Sequence, residues 1–400
     1  MRSFVLTLAA LAATVATSAC KSSDEPAQAP DGVTCSSVVA VGDGAWAQRE
    51  LANATPGTCV VLKGGPATPA AISVPKGVTF AAGKGERPVF TGASEEPVVT
   101  LAEGAQLVGI QIQTSKGVGV AVRGPRAKVR DVSITGAGSA AVAVLCSPAC
   151  VEPADATVEL TQVKLSQSQM GLWVSGAHVS WTSGESRDHA STGLAVAAGV
   201  VAQDGARVDL TGVVVARNQG VGILLDGEAT GGVLKDVQVT ENSERGLWAQ
   251  RLKGTLDKPS LRIEGSSVFS KNRIVGVGGL EARGIIFVGG RVQDTQASPT
   301  VTNLGQTEQV GDGIGLFGQS GDVKLENVDL SGNARAAALV DNGTRGIIFV
   351  GGRVQTTGEQ LKVVVQNTSE TVTVDAANVS KLEKPIGVNA PKLPTATILK

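Results

Sequence analysis

The sequence predicts an all-β chain built from stacked repeats. Three observations predict it: short segments that alternate apolar and polar residues, glycine-led aliphatic motifs between them, and a regular spacing from one motif to the next. Val, Ala and Gly dominate, with 51 Gly, seven Phe, four Trp and no Tyr in 400 residues. Long amphipathic helical patterns are absent, and many short β segments punctuated by Gly mark an all-β chain. At this length such a chain is either several domains or a repeat array.

The alternating segments lie under one another residue for residue: 128–135 (KVRDVSIT), 159–166 (ELTQVKLS), 209–216 (DLTGVVVA), 233–240 (VLKDVQVT), 262–269 (RIEGSSVF) and 324–331 (KLENVDLS). Each has the period of two expected of a strand with one buried face. The glycine motifs are GLWV at 171–174, GLAV at 193–196, GVGI at 220–223, GLWA at 246–249 and GIGL at 313–316. Gly171 to Gly193 is 22 residues and Gly246 to Gly276 is 30, within the range of repeat architectures. Residues 283–293 (RGIIFVGGRVQ) recur unchanged at 345–355, 62 residues later. A third column follows the strands by two or three residues: Asn218, Asn242, Asn272 and Asn333. One Asn per coil predicts a ladder of stacked amides, at a corner whose left-handed backbone Asn tolerates.

The combined pattern is Asp or Asn, Val, any residue, Val, then Asn, then Gly-Ile-x-Val. It resembles the repeats of right-handed parallel β-helix proteins of the pectate-lyase-like class, over residues 76–370. The resemblance implies a single-stranded right-handed parallel β-helix of about 11 coils, a rod on the order of 50 Å long at the usual strand spacing. Each coil buries its aliphatic face only by stacking on neighbours, and the open ends need covers. Residues 35–75, with a helix around 44–53 that carries Trp46, cap the first coil. Residues 371–400, with Pro385, Pro391 and Pro394, cap the last. No particular activity follows, because one solenoid hosts many functions.

Residues 1–19 read as a signal peptide. Arg2 is its positive end, 4–15 its apolar run, and Thr17, Ser18 and Ala19 its small-residue end; the run is too short to span a bilayer. The segment resembles a bacterial lipoprotein signal, which implies lipidation of Cys20 and a flexible tether over 20–34. Thr17 stands where that family has Leu, so ordinary cleavage after Ala19 is the competing reading. Lipid on Cys20 leaves Cys35, Cys59, Cys146 and Cys150 for two disulfides in an oxidising compartment. Three connectivities are possible, and locality favours Cys35–Cys59 and Cys146–Cys150. Lys21 replaces the aspartate that signals inner-membrane retention in some bacterial families. It points to the outer membrane, facing the periplasm or the cell surface.

The net charge is −1 and no long basic run exists, which argues against a nucleic-acid partner and leaves the membrane reached only through the anchor. β-Helix enzymes of the resembled class act on polysaccharides, hydrolases with paired carboxylates and lyases with a base and Ca²⁺. The polygalacturonase-type pattern is missing, with no adjacent Asp pair in the chain; Arg262-Ile263-Glu264 comes nearest to its Arg-Ile-Lys element. The catalytic candidates are Glu185, Asp188 and His189, read as a turn or loop in which His189 is the general base, or as a solvated polar corner. His178 reads as a packed or edge residue of a strand. Asp131 and Asp236 share a position filled by Gln162, Gly212 and Asn327 in other coils, a column for Ca²⁺ or for plain solvation. No metal and no cofactor is implied.

The third position of the glycine motif is flanked by inward aliphatics and should face outward. It holds Gly119, Trp173, Ala195, Gly222, Trp248, Gly278 and Gly315: a smooth strip broken by Trp173 and Trp248. Such exposed indoles stack on sugar rings, unless corner loops fold over them. Two functions remain. One is a non-catalytic envelope lipoprotein that binds polysaccharide or another envelope protein; the other is a polysaccharide lyase or glycoside hydrolase with a degenerate active site. The missing catalytic set favours the first.

Overall fold

The computed structural model of the chain describes residues 28–64, 71–145, 156–191, 196–302, 304–341, 344–357 and 360–366, with the backbone of 372–374 and 382–383. Among these residues a larger sheet of 22 strands and a smaller one of 14 run side by side, joined coil by coil. Pairing within each is parallel; one antiparallel hairpin, Ser298–Val301 on Thr307–Phe317, is added to the smaller sheet. The architecture is a right-handed parallel β-helix.

The alternation in the sequence becomes the register of the larger sheet. Lys128 pairs with Glu159, Glu159 with Ser180, Ser180 with Asp209, Asp209 with Val233 and Val233 with Arg262. The next position along points inward, stacking Leu160, Trp181, Leu210, Leu234, Ile263 and Phe287, all buried. Burial of this aliphatic and aromatic column drives the winding. The alignment slips once. Val239 pairs with Phe269 and Thr240 with Ser270, because the corner at Gly265 holds one residue more than its neighbours. Phe269 therefore turns inward and meets Phe287 edge to face at 5.8 Å.

Asp131, Gln162, Gly212, Asp236 and Asn327 all have φ between +52° and +62°. They form the left-handed bend inside each coil of the larger sheet, a conformation best tolerated by Gly, Asn and Asp. This accounts for the mixture of residue types at that position.

The helix Gly44–Asn53 covers the first coil with Ala47 and Leu51 buried, and Asp43 caps it by accepting from the Trp46 N–H at 2.8 Å. A disulfide joins Cys35 to Cys59 across 24 residues. Cys20, Cys146 and Cys150 lie outside the described residues, as does the signal segment. Pairing begins with Ser37–Val41 on Thr58–Leu62 and continues to Leu382–Glu383 on Val363 and Val364. Paired strands thus lie on both sides of 76–370: Ser37–Val41 and Thr58–Leu62 before it, with Val60, Val61 and Leu62 buried, and Val372–Val374 and Leu382–Glu383 after it. Among the described residues no helix is long and apolar enough to cross a membrane.

Candidate functional site

His189 is not in an open loop. Residues 185–187 end the strand His178–Arg187, Asp188 turns the corner at φ +58°, and His189 points into the core, fully buried. Its backbone N–H donates to Asn218 Oδ1 at 3.1 Å. Asn218 repeats the contact to Asn242, and Asn242 to Asn272, each adding an Nδ2 to Oδ1 bond of 2.8 Å. Asn333 accepts from the Thr295 N–H at 3.2 Å in a later coil. His189 thus occupies an asparagine position. Its Nδ1 accepts from the Ser168 N–H at 3.2 Å, and its Nε2 meets Ser186 Oγ at 2.9 Å. Burial drives its pKa down from 6.5 to about 4.

A column of glycines faces this ladder: Gly171, Gly199, Gly222, Gly246, Gly276 and Gly313 follow in register. A Cβ built at Gly222 would lie 2.8 Å from Asn242 Nδ2, at Gly246 2.6 Å from Asn272 Nδ2, and at Gly171 2.7 Å from His189 Nε2. The amides fill the space that side chains would need.

The three catalytic candidates do not converge. While His189 faces inward, Asp188 lies outside and takes two hydrogen bonds from Arg217 at 2.8 and 2.9 Å. That contact is the main cause holding its carboxyl below the usual range. Glu185 pairs with Arg187 at 3.1 Å. The corner residues Asp188, Arg217, Glu241 and Lys271 alternate in charge along the rod; Arg217 binds Asp188 and Lys271 approaches Glu241 at 3.9 Å.

Trp248 is not a surface platform. It faces away from the core but is fully buried, with the Arg245 guanidinium 4.6 Å from its ring centroid and Phe317 at 6.1 Å. Its Nε1–H donates to Gln250 Oε1 at 3.1 Å. The smooth strip is filled as well: a Cβ at Gly278 would lie 2.4 Å from the Trp248 ring, and one at Gly315 2.6 Å from Phe317. Glycine at these places makes room for rings of the same outer layer. Gly119 and Gly222 do not belong to the outward column at all. The outward residues of those coils are Ala121 and Leu224, the latter paired with Trp248. Trp173 is half-buried, and its indole N–H has no hydrogen-bond partner.

A groove of about 710 Å³ runs along the corner that follows the smaller sheet, lined by Glu228, Arg251, Lys253, Glu281, Arg283 and Arg345 among others. Arg251 Nε donates to Asp226 at 2.9 Å, Arg283 Nη2 to Asp322 at 2.6 Å, and Lys253 pairs with Glu228. Arg283 and Arg345 open the two copies of the literal repeat, with Gly321 between them in register. The sequence signal for this site was the repeated arginine. Its neighbours come from other coils, and winding alone brings them together.

Fold and register define the chain as a right-handed parallel β-helix protein. It is similar to the catalytic domain of a GH87 α-1,3-glucanase in complex with tetrasaccharides (10% identity, 87% of this chain and 70% of that one, TM-score 0.57). It is also similar to a variant of the periplasmic alginate epimerase AlgG (10% identity, 84% of each chain, TM-score 0.51). Likeness at this identity establishes the fold. No protein-family model matches the sequence, and no curated protein matches it significantly.

Proposed function

We propose that this is an exported envelope protein, lipid-anchored at Cys20, whose β-helix binds polysaccharide without cleaving its backbone. The observation that carries the reading is the corner groove. Arg251 and Arg283 are held by Asp226 and Asp322, so their planar donors are fixed in an open, elongated, polar cleft. Preorganised donors beside carboxylate acceptors suit a ligand rich in hydroxyls. Support also comes from the glucanase of the same fold, which was solved with tetrasaccharides. Trp173, half-buried on the smaller sheet, offers its ring as a further contact for a sugar.

A glycan-array screen of the protein from residue 21, read for binding and for new reducing ends, tests this. Binding without new ends is expected, and Lys253→Ala with Arg345→Ala should weaken it about tenfold, near 1.4 kcal/mol. Binding indifferent to both substitutions would remove the groove from the reading; new reducing ends would replace the binder with an enzyme.

A further inference from the structure

Thr157, His178 and Asp209 come from three successive coils of the larger sheet and meet on its outer face. Thr157 precedes the strand Val158–Ser166, His178 opens His178–Arg187, and Asp209 lies in Arg207–Ala216. Thr157 Oγ1 is 3.0 Å from His178 Nδ1, and His178 Nε2 is 2.8 Å from Asp209 Oδ2. Asp209 also accepts from the Val233 N–H at 2.9 Å and from Arg207 Nε at 3.2 Å.

These contacts assign the protons. Burial works to raise the pKa of Asp209, yet the His178 hydrogen bond, Arg207 and the Val233 amide together hold it below its ordinary value. At neutral pH Asp209 is therefore an anion and can only accept. With Nε2–H donating to Asp209, the other ring nitrogen, Nδ1, faces the Thr157 hydroxyl. In the tautomer protonated at Nε2, Nδ1 accepts the Thr157 hydroxyl hydrogen. A hydroxyl facing one nitrogen of an imidazole whose other nitrogen is held by a half-buried carboxylate is the arrangement that activates an oxygen nucleophile. The side chains of His178 and Asp209 are 29% and 27% exposed, so a substrate can reach them. His189 and Ser186 make a similar contact but are sealed in the core.

We propose that Thr157, His178 and Asp209 form a nucleophile, base and orienting acid that hydrolyse carboxylic esters. Thr157 Oγ1 bonds to the ester carbonyl carbon while its proton passes to His178 Nδ1. The carbon–oxygen bond to the alcohol then breaks, and His178 returns the proton to the departing alkoxide. Water attacks the acyl-threonine, giving a proton to His178 and on to Thr157 Oγ1 as the carboxylic acid leaves. Lys128 pairs with Glu159, which places Arg126 opposite Thr157 in the preceding coil, where its guanidinium is ion-paired with Glu103. This activity is independent of polysaccharide binding, and either can fail without the other.

The test uses the full chain with 4-nitrophenyl acetate. Thr157→Ala and His178→Ala should each lower turnover by about a hundredfold or more, while Thr157→Ser retains it. Asp209→Asn should lower turnover and change its pH profile. Acid-quenched wild type should carry one acetyl group on the Thr157 peptide, missing from His178→Ala. Thr157 is a partly exposed residue outside the buried core, so if His178→Ala unfolds, the Thr157→Ala and Thr157→Ser pair decides. Equal turnover in wild type and Thr157→Ala, or acetyl on another residue, overturns the proposal.

Discussion

The backbone N–H of His189 donates to the side-chain oxygen of Asn218 one coil away, at 3.1 Å. The histidine thereby takes a rung that Asn fills in the next three coils, facing Gly171 as Asn242 faces Gly222. A residue whose sequence neighbours suggested catalysis is a structural amide substitute. It serves only while neutral, because its Nδ1 must accept from the Ser168 N–H.

That requirement makes stability depend on pH. The folded pKa of His189 is about 4, below the ordinary 6.5, so the unfolded chain binds this proton more readily. The contribution is fully present above about pH 6.5 and is lost as pH falls toward 4, amounting to about 3 kcal/mol. Urea midpoints at pH 7 and pH 4 should show a drop in wild type that is much smaller in His189→Asn. Equal drops would place the acid sensitivity elsewhere.

Asn242→Ala should destabilise the fold. It removes the acceptor for both the N–H and the Nδ2 of Asn218 and the donor to Asn272. Leaving buried donors unpaired costs about 1–3 kcal/mol, measurable as a lower urea midpoint with unchanged slope.

Two glycines should respond differently to substitution. A Cβ at Gly222 would lie 2.5 Å from the Gly246 carbonyl oxygen as well as against Asn242. Gly222→Ala should therefore cost about 1–3 kcal/mol through overpacking. Gly212 sits at φ +62° with open space around its Cβ position, at the bend where Asp236 and Asn327 are accommodated. Gly212→Asn should leave the melting temperature nearly unchanged.

For the anchor, mass spectrometry of the mature N-terminus should find acylated Cys20, and Cys20→Ala should move the protein to the soluble fraction. An unmodified N-terminus, at Cys20 or elsewhere, would overturn the anchor.

Much of the architecture was legible in the sequence, because the period of two and the recurrence of the coil are local properties of the chain. Residues 128–135 and 159–166 align in the sequence as Lys128 and Glu159 pair in space, and Asn218, Asn242 and Asn272 recur because every coil needs the same corner. What winding adds is contact between residues many positions apart. Trp248 looked outward by alternation, and it does face outward. Whether it was exposed depended on Phe317, two coils on, and on Arg245 folding over its ring. His189 was read beside Asp188, its neighbour in sequence. The left-handed turn at Asp188 sends the two side chains to opposite sides of the wall, so their chemistry separates. The converse holds for Thr157, His178 and Asp209, which no local pattern connects. The sequence by itself determined the coil, its period and the inward aliphatic column, since hydrophobic burial acts on a repeat that each segment already contains. Only the tertiary structure decided which polar groups meet and which face water, since hydrogen bonds and exposure are set between coils, by corner length and register.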